Sequence, residues 1–283
     1  MAFDRVYNNT AYSCFCAFLT VAMFNKQEIL ETVSASEDRL FISKVLDQAL
    51  LSLKYHEQRY TSFLDPHQQK VLQKKLTKIS DIGFHFWGGY KEAERKVLAV
   101  YPNYIYPEEN QYPISILEIS GRDLDGLSHR DLLGAILSLG IKREKIGDIL
   151  IDDSKGYVFA ISDICSYLLI NLRKVKNCKV LVREIDDHNL SLPEKKFKEI
   201  RGTVASIRLD AVLSVALGMS RSKVLQYISS EKVSVNWELA VSASQMIKAG
   251  DVISIRGHGR MILDQVGGTT RKGRLNITVK RFI

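Results

Sequence analysis

Ser220, Arg221, Ser222 and Lys223 stand in a row where a helix should begin, and this order of residue types suits phosphate binding. Ser220 can cap the helix, whose free amides and positive dipole end favour anions, and the next three side chains add two cations and a hydroxyl. Arg208-Leu209-Asp210 with Leu213 lies upstream; Ile228, Val233-Ser234-Val235-Asn236 and Gly250-Asp251 with Ile253 follow downstream. Val233 and Val235 alternate as core residues of a strand, and Asn236 sits at the following turn, where its amide can bond backbone or a ligand. Asp210 and Asn236 each keep two readings, a local cap or turn bond and a ligand contact, because short polar side chains serve both. The candidates for phosphate contact are Arg208, Arg221, Ser222, Lys223, Lys232, Arg256 and Arg260, with Gln226, Asn236 and Trp237 as base or sugar contacts.

The charge distribution agrees with a polyanion partner. The chain carries 40 Lys and Arg against 32 Asp and Glu, a net +8. From Thr203 to Ile283 there are twelve basic and five acidic residues, whereas the first 202 hold 28 and 27. Nearly all of the imbalance therefore belongs to the last module. No basic amphipathic helix of the membrane-binding kind is present, so a nucleic acid is preferred over a membrane surface. Arg130, Lys142, Arg143 and Lys145 form a secondary basic group that either extends such a footprint or is a solvated loop.

Fragments that resemble catalytic motifs are incomplete. His129-Arg130-Asp131-Leu132 is similar to a kinase catalytic loop, but Ile136 stands where the loop needs asparagine, and no glycine-rich phosphate loop accompanies it. Arg208-Leu209-Asp210 is similar to the catalytic aspartate segment of pseudouridine synthases, yet Ala211-Val212-Leu213 continue an amphipathic helix. The four cysteines are scattered, and Cys14/Cys16 lacks a second pair to complete a zinc site. The expectation is a protein of a reducing cytoplasm with no catalysis, metal or cofactor. Ala11–Phe24 is rich in apolar residues but shorter than the about 20 residues a membrane span requires; it reads either as a partly buried helix or as translation from an upstream start, with residues 1–22 then preceding a true start at Met23.

The elements that must position these groups follow from periodicity. A helix is expected from Ser36 to about Tyr60, and Phe63-Leu64-Asp65-Pro66 reads as the start of another that runs to Lys78, with Asp as cap and Pro in the first turn. Phe84–Trp87, a Gly88-Gly89 turn and Lys96–Tyr101 read as a hairpin. The order strand (114–119), helix (128–139), strand (148–151), strand (157–161), helix (162–172), strand (179–185) is the ferredoxin-like βαββαβ arrangement. In it Tyr157 and Phe159 share one face, available for base stacking or for the core. Charged Leu192–Gly202, with Pro193, reads as a boundary. Beyond it come helices at 208–217 and 221–230 and strands at 233–235, 252–255, 261–266 and 275–279, with turns at Gly250-Asp251 and Gly267-Gly268.

The Arg208–Ile253 constellation resembles the RNA-binding domain first described in small-subunit ribosomal protein four, the S-four domain. Glu231 and Trp237 replace glycines usual in that domain. A wider set of segments is similar to the YlmH family: Phe63-Leu64-Asp65-Pro66, Trp87-Gly88-Gly89-Tyr90 with Ala93-Glu94-Arg95-Lys96, His129-Arg130-Asp131 with Leu133-Gly134, Gly140–Lys145 with Gly147-Asp148-Ile149, and Val235-Asn236-Trp237. Trp237 is normal for that family. The resemblance implies a bacterial, cytoplasmic protein of the large ribosomal subunit, engaged in quality control of stalled nascent chains that still carry tRNA.

The expected architecture is α+β: an N-terminal helical segment (1–80), a central ferredoxin-like domain (81–190), and an S-four domain with an appended β-hairpin (203–283). The expected function is non-catalytic binding of structured ribosomal RNA on the large subunit, with tRNA as a further ligand. The alternatives are a protein-interaction adaptor linked to cell division and a ribosome-assembly factor.

Overall fold

The computed structural model describes residues 24–33, 36–121, 127–152, 155–186, 190 and 197–282. Met23, the Cys14/Cys16 pair and all but the last residue of the 11–24 run lie outside them, as does the side chain of Ser36. No helix among the described residues is long and apolar enough to cross a membrane.

The first unit is built from α1 (Lys26–Glu31), α2 (Ser36–Tyr55), β1 (Arg59–Leu64), α3 (Pro66–Leu76), β2 (Ile82–Trp87) and β3 (Lys96–Pro102). Ile42, Val45, Leu46, Ala49 and Leu53 recur every three or four residues, so α2 turns one apolar stripe toward Leu72 and Leu76 of α3 and Leu98 of β3. Asp65 caps α3 with a full capping box and Pro66 opens it, as its sequence anticipates. The expected helix to Tyr60 stops at Tyr55, because His56 takes a positive φ of 55° and the chain extends into β1. β1 joins the 82–102 hairpin in a three-stranded sheet ordered β1-β3-β2. The hairpin thus belongs to the sheet of the first unit, which is itself α+β, and the break expected at residue 81 falls inside that unit.

The second unit contains β4 (Ile114–Ser120), α4 (His129–Ser138), β5 (Ile146–Ile151), β6 (Lys155–Ile161), α5 (Cys165–Asn171), a small hairpin of β7 (Lys174–Val175) and β8 (Cys178–Lys179), and β9 (Leu181–Ile185). Its four-stranded sheet has the order β5-β6-β4-β9 with antiparallel neighbours, which is the ferredoxin-like topology. Leu132, Ile136 and Leu168 of the helices cover one face, against Leu117, Ile119 and Val158. The first unit covers the other: Ile116, Phe159 and Ile161 pack with Phe63, Val97 and Ala99.

The loop between β2 and β3 makes this closure possible. It spans residues 88–95, so Gly88-Gly89 does not form the tight two-residue turn its sequence proposes. Gly89 has φ +95°, and a Cβ there would lie 2.6 Å from the Phe159 ring. Glycine is required by a contact with β6 as much as by the bend.

The third unit comprises β10 (Phe197–Val204), α6 (Leu209–Leu217), α7 (Arg221–Ser229), β11 (Val233–Val235), β12 (Glu238–Leu239), β13 (Val252–Ile255), β14 (Gly259–Thr269) and β15 (Leu275–Phe282), in a sheet ordered β10-β15-β14-β13-β11-β12. Val212, Leu213, Val224 and Ile228 pin both helices to one face of it. Two expectations shift. Residues 197–202, read as a boundary, form most of β10, which pairs with β15 along its length. Gly267-Gly268 lies within β14 at a register irregularity between Val266 and Thr269, and the turn comes later.

Candidate nucleic-acid interface

The face of α7 is sorted by its sequence. Val224 and Ile228 enter the core, while Arg221, Ser222, Lys223 and Gln226 stay exposed. The Ser220 hydroxyl accepts the Lys223 amide at 3.4 Å and meets the Ser222 hydroxyl at 3.0 Å. A second exposed pair forms where β11 and β13 end. Val233 pairs with Ile255, so Lys232 and Arg256 become neighbours, and the Arg256 amide donates to the Lys232 carbonyl at 2.8 Å. Beside them the Lys232 ammonium sits 5.9 Å from the Tyr227 ring centre, and the Tyr227 hydroxyl meets His258 Nε2 at 3.0 Å. Tyr227 and His258 were not among the sequence candidates; they are 31 residues apart and meet where α7 packs beside the turn between β13 and β14.

The acidic residues of this unit are mostly committed elsewhere. Asp210, buried, accepts the Arg208 guanidinium at 3.1 Å and the Ala211 amide at 2.9 Å. Asp251 accepts the Asn236 side-chain amide at 2.9 Å and the Lys248 amide at 2.7 Å. Asp264 pairs with Lys280 and Glu238 with His67. Among the described residues Arg221, Lys223 and Arg256 have no carboxylate partner, so their charge faces solvent unopposed.

Other candidates take scaffold roles. Asp210 resolves to local bonding. Asn236, at φ 51°, donates to Asp251 and accepts the Val252 amide at 3.0 Å, which spends its side chain on the turn. Trp237 is half-buried at φ 69° with Arg260 5.9 Å from its ring centre. Arg260 gives Nη1 to both oxygens of Glu94 at 2.6 Å, an ion pair to the first unit in place of a free phosphate contact. Glu231 and Trp237, the two departures from glycine, both stand at left-handed positions, with φ of 54° and 69°. That geometry is the physical reason glycine is usual there.

The secondary basic group does not come together as one patch. Arg130 and Lys142 are exposed; Lys145 pairs with Asp163 at 2.5 Å; Arg143 binds the Ile146 and Gly147 carbonyls. Burial, with Arg95 and Arg260 nearby, pushes the Arg143 pKa down to about 10. Arg143 belongs to a hub where Asp148 accepts the Tyr90 hydroxyl at 2.8 Å and the Glu94 and Arg95 amides at 2.7 and 3.0 Å. Partial burial and the cations Arg143 and Arg260 hold His129 below its ordinary pKa. Asp131, in the kinase-like fragment, is a capping residue: bonds from Lys176 and Ser128 hold its carboxyl at about 2. Tyr157 and Phe159 are 3% and 0% exposed, which assigns them to the core and closes the stacking reading.

Three family models match in chain order: "YlmH, N-terminal" over residues 37–105, "Putative RNA-binding domain in YlmH" over 107–189, and "S4 domain" over 207–253. A solved structure described as cell division protein ylmH from Streptococcus pneumoniae is similar with 27% identity and a TM-score of 0.47, covering 54% of this chain and 94% of that one. A curated relative from Bacillus subtilis (strain 168), named "Ribosome-associated protein quality control protein P2", is 32% identical over 246 residues, 87% of this chain and 95% of the relative. With these matches spanning all three units, the chain belongs to the YlmH family and carries a C-terminal S-four domain.

Proposed function

We propose that this chain is a non-catalytic, cytoplasmic RNA-binding protein that attaches to the large ribosomal subunit through structured ribosomal RNA, with tRNA as a second ligand. It acts by placement in the quality control of stalled nascent chains. The observation that carries this reading is the exposed, unopposed basic face of α7 with Lys232 and Arg256 beside it, in a unit whose carboxylates are mostly paired off. Such a face tracks a phosphate backbone and gains its affinity from released counterions. The relative's name supports the ribosomal setting.

Sedimentation of tagged wild type and an Arg221→Ala/Lys223→Ala variant on sucrose gradients tests it. Wild type is expected to co-migrate with large subunits at low salt and the variant to stay at the top. Absence of both from ribosomal fractions would reject the reading and favour the adaptor, for which exposed Leu225, Leu239 and Val241 offer an apolar surface beside α7.

A further inference from the structure

The first unit carries a local charge excess that its near-neutral total hides. From residue 66 to 80 the chain has four lysines and no acidic residue. Leu72 and Leu76 bury the inner face of α3, and Lys75 is tied to Thr32 by bonds of 2.7 and 3.0 Å. Lys70 and Lys74 on its outer face, and Lys78 in the turn just beyond it, remain exposed, with no ion-pair partner among the described residues. Lys70 and Lys74 are one turn apart on α3, about 6 Å along its axis at 1.5 Å per residue, and Lys78 stands in the turn just past its end, four residues on. Complementing the C-terminal end of the helix dipole accounts for Lys74 and Lys75. It gives no reason for Lys70, which lies in the first half of α3.

The start of α3 is also braced against the S-four domain. His67 Nδ1 meets Glu238 at 3.1 Å. Gln69 donates to the Glu94 carbonyl at 2.8 Å, while the Glu94 carboxylate holds Arg260 beside Trp237. Lys70 follows directly, so the lysine row leads away from the Trp237 turn of the S-four domain.

We infer that α3 and the turn that follows it form a second RNA-contacting element, whose Lys70, Lys74 and Lys78 bind phosphates of the RNA held by the S-four domain. This rests on the RNA-binding reading above and extends the footprint into a unit that no family description connects with RNA.

The test uses the full chain and total bacterial ribosomal RNA, with affinity measured over a salt titration for wild type, Lys70→Gln/Lys74→Gln/Lys78→Gln, the matching triple arginine variant, and Arg221→Ala/Lys223→Ala. The glutamine variant is expected to weaken binding about tenfold or more and to flatten the log–log salt slope by about two to three. The arginine variant should retain the wild-type slope. Exposed lysines can be replaced with little effect on folding, which a thermal melt checks. A glutamine variant with the wild-type slope, alongside a flattened slope in Arg221→Ala/Lys223→Ala, would overturn the α3 proposal and leave the S-four reading standing. No RNA binding by wild type would overturn both.

Discussion

The central unit and the S-four unit each have a face of a kind that can hold RNA, and the chain treats the two faces in opposite ways. On the central sheet, Tyr157 and Phe159 have the spacing of a stacking pair, yet both are buried, Phe159 beneath the first unit. On the S-four domain, Arg221, Ser222 and Lys223 remain fully outside. The difference is one of desolvation. Aromatic rings gain by being buried, about 1.5–3 kcal/mol for a large apolar side chain, so a ring platform is readily recruited into a core. Guanidinium and ammonium groups lose far more unless each finds a partner, so an unpaired cationic face stays open. A domain type therefore names a surface that could bind, while the chemistry of that surface decides whether neighbouring chain can cover it.

The comparison breaks most sharply at Phe159. Phe159→Ala should empty a site approached by Gly89, Gly147 and Tyr90 and cost about 3–5 kcal/mol, read from the denaturant midpoint, with RNA affinity of the folded protein unchanged. Weakened RNA binding at intact stability would instead restore Tyr157 and Phe159 as a ligand platform.

A smaller effect is expected at Glu118, 5% exposed on the same sheet, which holds Lys155 at 2.8 Å and also bonds Arg183. Hydrogen bonds from Lys155 and then Arg183 hold its carboxyl below the ordinary value. The folded state thus binds this proton less tightly than the unfolded chain does. Its stabilisation is complete above the ordinary glutamate pKa and is lost as pH falls through the lowered one. Glu118→Gln should flatten the acid limb of stability against pH and cost about 1 kcal/mol at neutral pH, a modest figure because Lys155 and Arg183 are 41% and 58% exposed. An unchanged acid limb in urea titrations would remove Glu118 from the account of the closed face.

The smallest effect lies on the open side. Glu231→Gly relieves a left-handed glutamate and removes an acid adjacent to Lys232. A net gain of about 0.5 kcal/mol is expected, after the greater freedom of glycine in the unfolded chain is discounted. RNA affinity should rise less than about threefold, the scale of one exposed charge. A loss of either would mean that Glu231 has a role its exposed position does not reveal.

What could be read from the sequence divides along the reach of the interaction. Asp65-Pro66 announces α3 and Ser220 announces α7 because caps are local. The ferredoxin-like order follows from alternating periodicities. β1 escaped because its burial follows no strict alternation and its partner Val100 is 41 residues from Arg59. The Gly88-Gly89 pair reads as a tight turn because the ring that Gly89 must clear belongs to β6, beyond the reach of any local pattern. At the candidate site, Arg221 and Lys223 stand exposed as their positions on an amphipathic helix imply. Arg260 does not, since the carboxylate that holds it lies 166 residues away.

The ties between the S-four domain and the first unit run in both directions, with Arg260 reaching out to Glu94 and Glu238 reaching out to His67. Each is a partly exposed pair worth about 1 kcal/mol or less, too little to hold two separate chains together. Only eleven residues, 186–196, separate β9 from β10, and so short a tether sets the effective concentration of one unit near the other in the millimolar range. Covalent connection supplies the proximity, and the Arg260–Glu94 ion pair with the His67–Glu238 contact supplies orientation: a docking turned end for end would set the Glu238 carboxylate against that of Glu94.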